Sequence, residues 1–553
     1  MTGYRLAAPH GSDVNRNAPV EFAFNGQPLR GLQGDTLASA LIANGLRVVG
    51  RSYKLHRPRG ILSCGVEEPT GLLEVGSGSA MTPNTRATDV LLTPGLVARS
   101  GNCWPSLKFD LAALNDRFSA LLPAGFYYKT FIWPSWHLFE PTIRRMAAGS
   151  HAAVGADPDR YDTSSATADV VVVGAGPCGL AAAREAALAG ADVVLIASGT
   201  PAEAADLRAA GVRVLTRTTA VGVYDHLLVT AVEVPENATP ARERLHKIRT
   251  ATLVLASGSF ERPMVFPDND RPGVMLAASV LRYAQRFGVA CGRSAVVAAN
   301  ADYAYPLAAA LAAVGIEIKA VVDRRAQVSP AALSALPPGI EVLRDAALVG
   351  VQGRDSVRGV TVFEAGKGRK TFAVDLVCSA GGMTPNVNLF SQAGGSLRWL
   401  ADSSMFVPDR LPAGVIPVGA CAGLFDEQAA LAQARAAGRA AANGPAALAQ
   451  LGVAQALGIG SVLADNRPAA DWLGRNPGKA FVDLQNDVSA FDVELAAREN
   501  YRSVEHLKRY TTTGMGTDQG KTSNVNALVQ MGVATGRTPD AVGTTKFRPP
   551  YKP

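Results

Sequence analysis

Two glycine-punctuated segments carry residue types suited to gripping an anion. In the first, Gly174-Ala175-Gly176-Pro177-Cys178-Gly179 follows a β-branched run and precedes an alanine-rich stretch. A glycine loop at the start of a helix turns free N–H groups and a positive dipole end toward a pyrophosphate. Gly174, Gly176 and Gly179 fit that task, with Cys178 inside the loop. In the second segment Lys508, Arg509 and Lys521 bring positive charge, and Thr511, Thr512, Thr513 and Ser523 bring hydroxyl donors. Gly514, Gly516 and Gly520 there allow main-chain N–H groups to approach an anion closely.

The elements around the first loop give it context. Ala168-Asp169-Val170-Val171-Val172-Val173 reads as a central parallel strand, the alanine-rich stretch to Gly190 as a helix, and Val193 to Ile196 as the next strand. Strand, glycine loop, helix and strand within about 30 residues make a βαβ unit. A second unit is expected at about 290–375: strand Ala295–Ala299, a helix around Tyr305–Ala313, strand Ile316–Val322. The first unit is expected to resume with strand Leu376–Ser379, then Val415–Val418 and a helix from Glu427 to Ala442. One nucleotide fold inserted in another is the architecture of two-dinucleotide flavoprotein reductases.

Several nucleotide contacts of that architecture are missing. The fingerprint places an acid about 20 residues past the glycines to bind a ribose. Here the second strand ends Leu195-Ile196-Ala197-Ser198, so Ser198 offers one hydrogen bond in its place, and Gly199-Thr200-Pro201 leads almost directly into a helix. In the second unit Asn300-Ala301-Asp302-Tyr303 replaces a glycine loop, with Asp323 at the end of the following strand. Flavoproteins of this class carry an Asp for the ribityl chain where this chain has Ala420. The expectation is one phosphate loop, three lost contacts and a weakened NAD site.

Toward the N-terminus, alternation in Val20 to Phe24, the Asn25-Gly26 turn and a helix capped by Asp35 or Thr36 and stopped at Gly45 suggest a β-grasp unit. It resembles a plant-type [2Fe-2S] ferredoxin domain, but such a cluster needs four thiolates, three of them in a C-x4-C-x2-C run, and the corresponding loop holds only Cys64. The expected organisation is a β-grasp domain at 1–105, an irregular linker at 106–168 with a polar tail at Ser150–Ala168, a nucleotide-binding domain at 169–442, a linker at 443–478, and an α-rich segment with an extended tail at 479–553. The fold class is α/β.

Composition excludes other classes. Charged residues make up 18% of the 553, below the ~25% of an average soluble chain, and 48% are hydrophobic, which argues against disorder. A net charge of +7 with 6% aromatics is too dilute for a nucleic-acid binder. Met1 to Pro19 has no apolar core and is not a secretory signal, and a representative long uncharged stretch, Tyr303 to Ile316, falls short of the ~20 residues that span a bilayer, so no membrane association is expected. Six widely spaced cysteines with no CxxC point to reduced thiols in the cytoplasm, with no metal site.

Phe481-Val482-Asp483-Leu484-Gln485-Asn486-Asp487-Val488, Arg498-Glu499-Asn500-Tyr501-Arg502-Ser503 and the run from Glu505 through Gly514-Met515-Gly516-Thr517-Asp518-Gln519-Gly520-Lys521-Thr522-Ser523-Asn524 closely resemble the α subunit of heterotetrameric sarcosine oxidases. The likeness extends to Arg51–Gly60, Thr218–Asp225, Phe260-Glu261-Arg262-Pro263 and Asn269–Gly273. The resemblance implies that an FAD on a β subunit oxidises a secondary amine and that electrons pass to an FMN at the α/β interface. Small γ and δ subunits complete the assembly. It implies a flavin-phosphate role for the loop, adding Met515, Gln519 and Thr522 to the residues above, and an NAD site at Gly174–Gly179. Leu484 and Asn486 stand where related amine dehydrogenases place cluster cysteines.

The chain is therefore expected to be the α subunit of an FAD/FMN amine oxidoreductase, with no catalytic residue of its own. The alternatives are a non-catalytic scaffold with vestigial nucleotide folds and, third, a stand-alone NAD(P)H reductase. The family's long α subunit continues into a folate-binding aminomethyltransferase-like domain, whereas this sequence stops at Pro549-Pro550-Tyr551-Lys552-Pro553. That suggests a short form served by a separate aminomethyltransferase-like subunit docked on the tail, or a product that is not a one-carbon unit.

Overall fold

A computed structural model of the chain describes residues 4–147, 150–235, 241–452, 470–474 and 477–545. Asn25 and Gly26 both take positive φ, the geometry of a type I′ turn, and join the antiparallel strands Asn15–Phe24 and Gln27–Gln33. In space the order Gln27–Gln33, Asn15–Phe24, Val97–Arg99, Leu72–Val75, Thr82–Arg86 makes a five-stranded sheet. The helix Leu37–Ala43 is buried along its whole length and starts at a capping box formed by Thr36 and Ser39.

The first nucleotide sheet runs Arg213–Leu215, Val193–Ile196, Tyr161–Val173, Glu243–Leu255, Leu228–Glu233, Thr218–Tyr224, with Val415–Pro417 also paired to Glu243–Leu255. Side chains alternate between its two faces. Val170, Val172, Leu195 and Val254 face the helices Pro177–Leu188 and Glu427–Ala442, whereas Val171, Val173, Ile196 and Leu253 share a cluster with Phe390. Burying each such side chain is worth about 1.5–3 kcal/mol. The two helices touch at Gly438, where a Cβ would stand 2.3 Å from the Ala182 carbonyl oxygen, so alanine and glycine set their close approach.

The second sheet is all parallel in the order Val274–Leu276, Leu376–Ala380, Ser294–Ala299, Glu317–Asp323, Glu341–Leu343, followed by a three-stranded antiparallel sheet of Ala346–Gln352, Gly359–Glu364 and Gly368–Phe372. Leu376–Ala380 thus belongs to the second sheet and does not resume the first. Its all-buried sequence satisfies either sheet, and pairing with Ser294–Ala299 decides the matter.

Two further expectations change. From Tyr161 onward the supposed polar linker is strand, because Tyr161–Ala168 pairs parallel with Glu243–Thr250 far along the chain. The region 106–168 also contains the helices Phe126–Lys129 and Trp136–Ala147, the second hidden from pattern reading by Pro141 inside it. The segments 453–469 and 475–476 of the expected linker, and 546–553 of the tail, lie outside the described residues. The C-terminal segment is a hairpin of Phe481–Asp483 and Val488–Ser489 followed by helices Ala490–Arg498, Val504–Thr511, Asn524–Thr535 and Pro539–Val542.

Candidate functional site

The loop between the helices Val504–Thr511 and Asn524–Thr535 folds around two buried carboxylates. Asp483 Oδ2 accepts from the Gly514 N–H at 2.8 Å and the Ser523 hydroxyl at 3.2 Å, and its Oδ1 accepts from the N–H groups of Gln485 and Asn486. Asp518 accepts from the Gly520 N–H at 3.0 Å and the Thr522 hydroxyl at 3.2 Å. Burial, then the neighbouring Asp518, push the Asp483 carboxyl up to about 6. Gln485 Oε1 accepts from both N–H and hydroxyl of Thr517, while Tyr53, pushed up to about 12 by burial, bonds the same glutamine.

These bonds correct the sequence expectation for the loop. The amides of Gly514 and Gly520, expected to face an external anion, serve Asp483 and Asp518 instead. The hydroxyls are turned inward as well: Thr511 donates to the Leu507 carbonyl and contacts Thr513 at 2.7 Å, and Thr512 donates to the Thr511 carbonyl. Gly514 and Gly520 remain necessary, since a Cβ at either would sit 2.1 or 2.2 Å from Asn524 Oδ1. Sequence reading missed Asp483 and Asp518 as the centre of the loop. Asp483 has one local signal, its apolar neighbours in Phe481-Val482-Asp483-Leu484, whereas Asp518, between Thr517 and Gln519, has none.

The cations divide. Arg509 lies on an exposed helix face, 3.5 Å from Glu505 one turn earlier, and Lys508 is half-buried on the same helix. Met515 is exposed and Gln519 half-buried, the latter at a positive φ. Lys521 is different. Burial, then the nearby Arg86, push its ammonium down to about 8, and its Nζ donates to the Asp518 carbonyl at 3.1 Å. With Gly520 and Asn524 it borders a groove walled by Phe260, Val387, Leu397, Phe406 and Leu528. The groove joins the last helices to the strand Met383–Pro385, which pairs antiparallel with Ser259–Glu261.

The hairpin that carries Asp483 is bolted to the N-terminal domain. Arg59 pairs with Asp270 and Asp487 and donates to the Leu484 carbonyl at 3.1 Å, all of them buried. Arg57 grips Asp270 at 2.7 Å, Asp268 at 2.9 Å and Asp116 at 3.0 Å. Burial would raise the Asp270 carboxyl, but Arg59 and Arg57 hold it well below the usual carboxylate range. His56, beside Arg57 in sequence, bonds Asp110 at 2.7 Å and so ties its loop to the start of the 111–116 turn.

In the first phosphate loop Gly174 adopts φ +103°, and a Cβ there would stand 2.3 Å from the Ala256 carbonyl oxygen. A Cβ at Gly179 would meet the Gly174 carbonyl oxygen at 1.8 Å, whereas around Gly176 there is open space. Pro177 opens the helix without an N–H, Cys178 faces Gly419, and Ser198 is exposed at the strand end. The loop and Ser198 therefore share the C-terminal edge of one sheet, far in sequence from the 508–523 loop. The second unit is closed from within. Asp323 accepts from Arg325 at 2.8 and 3.0 Å and from the Tyr305 hydroxyl at 2.9 Å, while Arg325 also holds Asp302 at 2.6 Å. A ribose has no free carboxylate there.

The N-terminal domain offers two thiols, Cys64 and Cys103, where a [2Fe-2S] cluster needs four. Burial pushes the Cys64 thiol up to about 12, the opposite of a metal-ready thiolate. The residues do not fit a cluster.

Comparison with known proteins matches residues 17–103 to a 2Fe-2S iron-sulfur cluster binding domain, 168–437 to a pyridine nucleotide-disulphide oxidoreductase and 477–553 to a sarcosine oxidase A3 domain. The chain is 43% identical, over its whole length, to sarcosine oxidase subunit alpha of Rhizobium meliloti (strain 1021), and 36% identical to that of Corynebacterium sp. (strain P-1). It spans 58% and 57% of those relatives' own lengths. A solved structure of L-proline dehydrogenase from P. horikoshii shares the fold, with a TM-score of 0.67 at 19% identity, covering 100% of this chain and 98% of that one.

Proposed function

The chain belongs to the family of sarcosine oxidase α subunits, and from that premise we propose that it serves in a hetero-oligomeric, flavin-dependent oxidoreductase acting on a secondary amine or imino acid. The oxidising FAD is assigned to a β-type partner, with small γ/δ-type subunits completing the assembly. This chain supplies one wall of an FMN site at the subunit interface. FMN held there, with Lys521 at its phosphate, would supply electron transfer between the partner's flavin and oxygen or another carrier.

What carries the proposal is Lys521: a cation kept desolvated at the border of a mostly apolar groove. A partly dry ammonium attracts an anion more strongly than an exposed one does. Phe260, Val387, Leu397 and Leu528 exclude water from the groove, and Asp518 fixes the backbone from which Lys521 projects. In this scheme the protein's contribution is charge and shape. Gly514 and Gly520 shape the loop, and its amides do not bind the phosphate. NAD at Gly174–Gly179 remains a weak accessory ligand. The six free cysteines suit a reducing compartment, so the complex is assigned to the cytoplasm; no helix among the described residues is long and apolar enough to cross a membrane.

The scaffold alternative is favoured by one observation, the internally closed second nucleotide unit around Asp323 and Arg325. Flavin content of the co-expressed complex separates the two. Lys521→Ala is expected to release FMN while FAD stays bound; Arg509→Ala, on the exposed face, is expected to do much less. Unchanged FMN in Lys521→Ala favours the scaffold.

A further inference from the structure

At the N-terminal ends of the second sheet's strands lies a cavity of about 440 Å³, bordered by Tyr4, Arg47, Arg293, Ser294, Ser356 and Arg358. It stands on the edge opposite to the one where open α/β sheets take nucleotides, which is the C-terminal edge. It is thus distinct from the Gly174 loop and from the Lys521 groove.

Its charges are unbalanced. Arg47 donates through Nη1 to the Cys291 carbonyl and lies over the Tyr4 ring, but its Nη2 is buried with no hydrogen-bond partner among the described residues. The carboxylate that borders the cavity, Asp375, is 3.8 Å from that Nη2 and is already occupied. It accepts from the Arg293 N–H at 2.9 Å and the Ser294 N–H at 3.0 Å, which ties down the start of the strand Ser294–Ala299. Arg293 and Arg358 are exposed, and their guanidinium groups make no ion pair among the described residues. Three guanidinium groups therefore surround one carboxylate, whose single charge offsets only one of them, and Ser294 and Ser356 line the same cavity.

We propose that this cavity binds a phosphate-bearing small molecule, of which inorganic pyrophosphate is the minimal form. Guanidinium forks match phosphate oxygens two at a time, and a ligand with several negative charges satisfies the buried Nη2 that Asp375 leaves unmet. The volume falls in the ~300–1,000 Å³ range of small-ligand sites, which favours a compact phosphate ester over an extended acidic protein segment. The proposal does not depend on the flavin assignment.

The test is titration of the purified chain with inorganic pyrophosphate at low salt, by calorimetry and by thermal shift. The variant R293Q/R358Q changes only exposed side chains, so it is expected to melt like the parent without ligand. Pyrophosphate should bind the parent and raise its melting temperature, and R293Q/R358Q should weaken that binding by about tenfold or more. Arg99→Gln, an exposed arginine that borders neither this cavity nor the other sites described, should leave it unchanged. Absence of pyrophosphate binding in the parent overturns the proposal, and so does binding that survives in R293Q/R358Q. A partner protein released by R293Q/R358Q from a chain that binds no pyrophosphate also overturns it, in favour of a protein contact.

Discussion

Of the three glycines in the first phosphate loop, two are demanded by the protein itself. Gly179 packs against the Gly174 carbonyl and Gly174 turns at positive φ, so both would be glycine without any ligand. Gly176 has open space around it and an ordinary φ of −75°, so only an approaching ligand asks for glycine there. Gly179→Ala is expected to cost at least the ~1–3 kcal/mol of an overpacked site, and Gly176→Ala to change stability by less than about 0.5 kcal/mol. Urea unfolding checks both. NAD titration of Gly176→Ala then reads the ligand role, and unchanged NAD affinity would remove it. Even the parent should hold NAD weakly, because replacing the ribose acid by Ser198 forgoes about 1.5–3 kcal/mol. Lys521 carries the second residue-scale prediction. Its ammonium is lowered from 10.5 to about 8, so its hold on an anion is present below that pH and is lost as pH rises through it. FMN retention by the complex, followed by gel filtration across pH 7 to 9, should fall in the parent, and Lys521→Ala should show no such step.

The element that organises the candidate site is the hairpin Phe481–Asp483/Val488–Ser489, clamped by Arg59 on one side and by the 512–523 loop on the other. Removing Arg59 leaves Asp270 and Asp487 buried without a shared cation, and breaking such a pair costs about 3–5 kcal/mol. Arg59→Ala is therefore expected to lower stability by that amount and to speed hydrogen exchange in 483–523; Arg59→Lys, which lacks the fork, should recover only part. Asp483 adds a pH signature. Its folded pKa of about 6 lies above the usual 3.8, so the folded state holds its proton more tightly. The stability it contributes is full below about pH 4 and is lost as pH rises through about 6. Comparing urea midpoints of the parent and Asp483→Asn from pH 4 to 7 should show that downward slope in the parent alone. Sequence reading found the donors of this loop but not the acids that use them up. Asp483 and Asp518 are distant in sequence; the apolar neighbours of Asp483 hint at burial, and nothing local marks Asp518. The hairpin at Asn25-Gly26 and the capped helix at Thr36 were legible because their chemistry is local. The sheet membership of Leu376–Ala380 was not, since buried parallel strands are alike in composition and carry no register mark.

At the scale of the whole molecule, the chain carries two nucleotide folds, and the second lacks contacts that a dinucleotide uses. The inserted unit has spent its own acid on Arg325, and Ala420 offers no carboxylate to a ribityl chain. The overall arrangement is nonetheless that of the L-proline dehydrogenase structure, end to end. Interleaved βαβ units were readable from glycine and β-branched runs; the closure of the second unit was not, because it depends on Arg325 folding back onto Asp323 and Asp302. The central claim is that this chain lends a cofactor wall to a partner that performs the oxidation. It is tested most directly by purifying the chain alone and with its native flavoprotein partner, then measuring bound flavin and oxidation of a secondary amine such as sarcosine or proline in each. The account predicts no tightly bound FAD and no amine oxidation by the chain alone, with FMN and activity both present in the complex. Stoichiometric FAD on the isolated chain, together with amine oxidation by it, would contradict the account.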